Sequence, residues 1–157
     1  MKFIDLHCDT MLRLFEGQEG LWQNERGVDI QKLRDGDSLA QFFALFVNMD
    51  LTDNPLERCL AMLDYFHSEL EKNKEHISLA TNYAEIVGNQ AAGKLSAFLA
   101  IEEGGVLKGQ LSNMRNFYRL GVRIITLTWN YPNEIGFPNA GGLHTDKGLT
   151  AFGREVK

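Results

Sequence analysis

The stretch Phe3-Ile4-Asp5-Leu6-His7-Cys8-Asp9-Thr10 decides how the rest of the chain is read. It opens as an apolar strand and runs straight into His-x-Asp, with no turn residue between. Side chains alternate across a strand, so His7 and Asp9 are expected on one side and Ile4, Leu6 and Cys8 on the other. Two good metal ligands would then stand together at a strand's C-terminal end. In parallel sheets and barrels that end is where catalytic groups collect. A histidine and an aspartate that merely hydrogen-bond to each other at a strand mouth fit the same stretch equally well.

Further along, the hydrophobic pattern keeps changing period. Ala40 to Val47 is almost entirely apolar and aromatic and bounded by turn formers, the signature of a strand buried on both faces of a parallel sheet. From Pro55 the apolar residues Leu56, Cys59, Leu60, Leu63, Phe66 and Leu70 recur at spacings of three and four. With Asn54-Pro55 as cap and first turn, they predict a helix to about Asn73. A second helix is expected over Asn82 to Ala92, closed by Gly93. Leu95 to Ile101 reads as the next strand and ends in Glu102-Glu103-Gly104-Gly105. A helix through Leu111, Met114, Phe117 and Leu120 stops at Gly121. The β-branched run from Val122 to Thr128 is a fourth strand, leading into Trp129-Asn130. Gly136 to Gly148 reads as loop, and Leu149 to Lys157 as the start of a helix. Four strand-and-helix units in 157 residues match those of a large (β/α)8 barrel or a doubly wound sheet.

Composition narrows the classes. Hydrophobic content of 44% and charged content of 24% belong to a soluble globular protein. Sixteen Lys and Arg against twenty-one Asp and Glu give a net charge of −5 without a basic cluster, which speaks against a nucleic-acid partner. No apolar run approaches the roughly 18 residues of a membrane span, and a strand beginning at Phe3 leaves no signal peptide, so no membrane association and a cytoplasmic location are expected. Cys8 and Cys59 have no motif spacing and read as buried small hydrophobes.

The chemistry lies at the strand ends. His7, Asp9 and Glu102 all fall where parallel strands finish and could converge on one point. One imidazole and two carboxylates suit Zn²⁺, Mn²⁺ or Fe²⁺, and a carboxylate can bridge two ions in a binuclear hydrolase. No P-loop, no G-x-G-x-x-G after the first strand and no G-x-S-x-G elbow is present, so nucleotide and serine-hydrolase chemistry lose their usual signals. A doubly wound domain using Asp9 and Glu102 for Mg²⁺-dependent phosphoryl transfer needs a phosphate loop that the sequence lacks. His67 and His76 flank the end of a helix, where a histidine is commonly a solvated or capping group.

In order along the chain, Ile4-Asp5-Leu6-His7-Cys8-Asp9-Thr10, Asp29 to Arg34 before Ala40-Gln41-Phe42-Phe43-Ala44, and Ile101-Glu102-Glu103-Gly104-Gly105 are followed by Leu120-Gly121-Val122-Arg123 with Leu127-Thr128, and by Gly148 to Val156. These pieces resemble the N-terminal half of the membrane (renal-type) dipeptidases, peptidase family M19, over essentially residues 1–157. The resemblance implies roughly the first half of a metal-dependent TIM (β/α)8 barrel, a partial domain whose C-terminal half is absent. It implies that His7 and Asp9 bind one zinc ion and that Glu102 bridges it to a second. Ungapped counting back from Leu120-Gly121 selects Glu102, with Glu103 as the fallback. The implied reaction is hydrolysis of dipeptides, including those with a C-terminal D-residue, by a water shared between the ions.

The chain also departs from that family. Many members carry a substrate-binding histidine after Leu-Thr, where this chain has Trp129 followed by Asn130; these two are the candidate substrate-binding residues, Trp129 as a pocket wall. The family's two further zinc-binding histidines and an acid used in proton transfer lie downstream of this chain, and His144 does not stand in for them. One zinc ion or none is therefore expected here, and the catalytic residues proper are not identified. The alternative to the dipeptidase is an inactive half-barrel that binds one metal weakly. Such a half would need a complementary C-terminal half or another copy, because its last strand is an exposed apolar edge.

Overall fold

The computed structural model describes residues 2–142, 144 and 146–156. All its strand pairings within the sheet are parallel. The strands are β1 (Phe3–Asp5), β2 (Ser38–Phe46), β3 (Ile77–Leu79), β4 (Leu95–Glu102) and β5 (Val122–Thr126), and the helices α1 (Thr10–Gly17), α2 (Ile30–Asp35), α3 (Pro55–Lys72), α4 (Tyr83–Ala91), α5 (Leu111–Arg119) and α6 (Ala151–Val156). The fold class is the expected one, parallel α/β, with the architecture of about half a (β/α)8 barrel. Among the described residues no helix is long and apolar enough to cross a membrane.

β4 organises the sheet. One edge takes β2 along Ser96 to Glu102, and the other is shared, with β3 against Leu95 to Ala97 and β5 against Leu99 to Glu102. Every residue of β4 except Glu102 is buried. Leu95, Ala97, Leu99 and Ile101 join the main core with Met11 and Leu14 of α1, Met62, Leu63 and Phe66 of α3 and Phe117 of α5. The alternate residues face the other way: Phe98 stacks on Phe42 with centroids 4.5 Å apart, and Ala40, Ala80 and Ile86 complete that smaller cluster. α4 therefore covers the second face, and Asn89 Nδ2 donates to Ser96 Oγ at 3.0 Å beside it.

Local chemistry explains the helix boundaries. Asn54 caps α3 by accepting from the Glu57 backbone amide at 3.3 Å while its side-chain Nδ2 donates to Glu57 Oε2 at 2.8 Å, just ahead of Pro55. Asn82 caps α4 by accepting from the Glu85 backbone amide at 3.1 Å.

Two expectations change. β3 is a fifth strand that no period announced. β1, expected to run on into His7 and Asp9, is a short edge strand paired, among the described residues, with β2 alone; it stops at Asp5, and Phe3, Ile4 and Leu6 are exposed, Leu6 by 61%. Ile124 and Leu127 at the opposite edge are exposed as well, so the apolar edge expected at the last strand is present at both ends of the sheet.

Candidate metal centre

Because β1 ends at Asp5, His7 and Asp9 do not project from a strand, and the alternation argument for them is corrected. A loop brings them together instead. Asp5 ties the strand end down by accepting from Gln41 Nε2 at 2.8 Å and from the His7 amide at 3.4 Å. The Cys8 carbonyl accepts from the Ala44 amide at 3.0 Å, which holds the loop against β2. Asp9 occupies the N-cap position of α1 but makes no side-chain cap bond. Its carboxylate faces the histidine: Asp9 Oδ1 lies 3.4 Å from His7 Nε2, and Glu102 Oε2 lies 3.2 Å from the same nitrogen. One ligand atom from each of the three residues falls within 4.8 Å of the others.

Glu102 is the most protected of the three, with its side chain 14% exposed against 49% for His7 and 56% for Asp9. Its Oε2 is buried and has no hydrogen-bond partner among the described residues, so His7 Nε2 approaches it without an aligned hydrogen bond. Burial, then the Asp9 carboxylate, pushes the Glu102 carboxyl above its ordinary range, while His7 acts in the opposite sense. Two carboxylates and an imidazole thus crowd one point where an acceptor oxygen lacks a donor. That is the environment a divalent cation would relieve, and the donor set fits zinc through His7 Nε2, Asp9 and Glu102.

Glu103 takes the opposite direction. Its φ of 102° and ψ of 95° turn the chain sharply, and its side chain is fully buried away from the trio. There it accepts from the Gly105 amide at 2.8 Å, the Trp129 amide at 3.0 Å and Asn133 Nδ2. The geometry therefore groups Glu102, and not the fallback Glu103, with His7 and Asp9. Gly104 follows because no side chain fits: a Cβ there would lie 2.7 Å from the Leu127 carbonyl oxygen.

Trp129 stands edge-on to Phe46, with ring centroids 4.8 Å apart, and lies 5.5 Å from Tyr131. Phe46 is the β2 partner of Glu102, which places this aromatic group beside the trio. Asn130 is exposed in the same loop. The remaining histidines sit apart: His67 contacts the Leu120 carbonyl at 3.3 Å, His76 lies tilted against Trp22 with centroids 4.5 Å apart, and His144 lies beside the Phe137 ring at 5.1 Å. Sequence reasoning did not find Glu103 as an anchor, nor Phe46, Tyr131 and Asn133 as its surroundings. The adjacent acids of Glu102-Glu103 carried part of that signal, since neighbours on a strand end point to opposite faces.

The profile of the membrane dipeptidases, peptidase family M19, matches residues 1–156. Human dipeptidase 3 (Homo sapiens) is 33% identical over 134 residues, covering 82% of this chain and 27% of the relative. Mouse dipeptidase 3 (Mus musculus) is 30% identical over 169 residues, covering 98% of this chain and 33% of the relative. Two solved structures share the fold: dipeptidase AC, with a TM-score of 0.82 at 22% identity, and a metallopeptidase from Rhodobacter sphaeroides liganded with a phosphinate mimic of the dipeptide L-Ala-D-Ala, with a TM-score of 0.81 at 20% identity. This chain is covered to 99% in both comparisons but spans only 53% and 54% of those structures. Its match along nearly its whole length, together with a His-Asp-Glu cluster at the C-terminal ends of parallel strands, places the chain in the membrane dipeptidase family, peptidase family M19.

Proposed function

We propose that this chain carries the first-metal part of a zinc-dependent dipeptidase site, with His7, Asp9 and Glu102 as ligands. The observation that carries the proposal is the convergence of these three on one point, with Glu102 Oε2 buried and without a donor. A bound zinc ion would supply Lewis-acid polarisation of the peptide carbonyl and acidification of water. The chain's own residues do the rest: His7 presents Nε2, Glu102 holds a carboxylate out of bulk water, and Asp9 adds negative charge from the exposed side. Trp129 offers a flat apolar face near the trio, with Asn130 next to it in the loop. Dipeptides, including those with a C-terminal D-residue, are the proposed substrates, supported by the L-Ala-D-Ala mimic in the Rhodobacter sphaeroides relative.

A second reading is an inactive half-barrel, and one observation favours it. The apolar residues Ile4, Leu6, Ile124 and Leu127 are exposed along both open edges, as they would be where a complementary half or another copy packs. The deciding experiment titrates zinc into the chain and follows hydrolysis of L-Ala-D-Ala. Zinc-dependent turnover that His7→Ala abolishes supports the dipeptidase. Zinc binding without turnover, or no binding at all, supports the half-barrel.

A further inference from the structure

The carboxylate beside the ligand cluster is unusual in two independent respects. Glu103 is fully buried, and it is not a glycine although its φ is 102°. A buried carboxylate and a side chain in that backbone region are each unfavourable, and such features persist where the surroundings over-determine them. Here three donors do so, and they come from different segments: the Gly105 amide beside it, the Trp129 amide beyond β5, and the Asn133 side chain. Asn133 is itself braced, donating to the Leu127 carbonyl at 2.9 Å and accepting from the Ile135 amide at 2.7 Å. The turn at Glu103 lets Glu102 face His7 while the next side chain goes into the loop.

What that loop presents is an aromatic lip. Trp129 is 38% exposed and rests on Phe46, the register partner of Glu102. The Tyr131 hydroxyl donates to Asn48 Oδ1 at 2.9 Å, which fixes the neighbouring ring. We propose that Glu103 is a positioning residue that holds Trp129 against Phe46, so that Trp129, Phe46 and Tyr131 form a wall selecting dipeptides with an apolar side chain. The assignment rests on the dipeptidase reading above and adds a substrate class to it.

The hydrogen-bond pattern makes the test specific. Glu103 Oε1 serves Gly105 and Asn133, while Oε2 serves Trp129 alone. In Glu103→Gln the single remaining oxygen satisfies most donors by staying with Gly105 and Asn133, and the new amide then faces the Trp129 N–H, donor against donor. Amide exchange on the variant should therefore show the Trp129 amide exchanging about tenfold faster while the Gly105 amide keeps its protection. With zinc present, affinity for a phosphinate mimic of Leu-Leu should fall about tenfold, while that for the Gly-Gly mimic stays within about twofold. General loosening would weaken both mimics together and would overturn the proposal, as would an unchanged Trp129 exchange rate or unchanged Leu-Leu affinity. If the unmutated chain binds no zinc, the dipeptidase reading and with it the substrate wall are refuted, whereas the exchange pattern still decides whether Glu103 holds Trp129.

Discussion

One substitution made at two glycines should have opposite signs. In Gly104→Ala the new methyl would lie 2.5 Å from Ile135 Cδ1 and 2.7 Å from the Leu127 carbonyl oxygen, against the roughly 3.5–4.0 Å at which carbon contacts settle. The isoleucine end can rotate away. The carbonyl has far less freedom, because it accepts from Asn133 Nδ2 at 2.9 Å and Asn133 is bound to Glu103. Overpacking of this kind costs about 1–3 kcal/mol. At a urea slope of about 2 kcal/mol per molar, a cost of about 2 kcal/mol lowers the unfolding midpoint by about 1 M. In Gly88→Ala, on the exposed side of α4, the added methyl meets nothing within 4 Å. Replacing a helix-interior glycine there should raise stability by about 0.5–1 kcal/mol. Urea unfolding followed by far-UV circular dichroism measures both. A Gly104→Ala midpoint at or above that of the unmutated chain, or a Gly88→Ala loss of similar size, would refute the reasoning.

Other outcomes follow from the same structure. Asp29 is buried, caps α2 through the Lys32 amide at 2.7 Å and pairs with Lys32 Nζ at 2.8 Å. Burial works to raise its pKa, but the hydrogen bonds from Lys32 and Asn24 outweigh it and hold the carboxyl below 3.8. A folded pKa below the unfolded one means the stabilisation is fully present above the unfolded value and is lost as pH falls through the folded one, so Asp29→Asn should cost about 1–2 kcal/mol at pH 7 and progressively less as pH falls below the ordinary carboxylate range. Phe43 is fully buried with its ring 5.7 Å from Phe66, and Phe43→Ala should lower stability by about 3–5 kcal/mol in urea titration. Burial pushes the Cys59 thiol up to about 12, so iodoacetamide at pH 8 should label it only in denaturant, as mass spectrometry of the peptides would read.

Legibility in the sequence followed the length and continuity of each signal. β2 and β4 were readable because both faces are covered, which leaves an unbroken apolar run, and α3 because its cap, Pro55 and three-four spacing agree. The phase of α3 was read less well: Met62 is buried on its inner face, whereas Leu60 is 41% exposed. β3 escaped because Ile77 to Leu79 is too short for any period to register and is defined by its pairing with the start of β4. Among the candidate site residues, His7, Asp9 and Glu102 were legible as residue types at strand ends, and the geometry brings Glu102 rather than Glu103 to the other two. The route by which His7 and Asp9 meet was not, since the end of β1 is set by Gln41 and Ala44 of a different strand. Glu103 was the least legible, because its partners Trp129 and Asn133 lie 26 and 30 residues away and no local pattern reports such a contact.

The central claim is that His7, Asp9 and Glu102 form a metal site, and the zinc content of purified chain dialysed at pH 7 tests it most directly. Elemental analysis should find about one zinc ion per chain in the unmutated protein and essentially none in the His7→Ala/Asp9→Ala double variant, with folding of both checked by circular dichroism. Equal zinc content in a folded double variant would contradict the account.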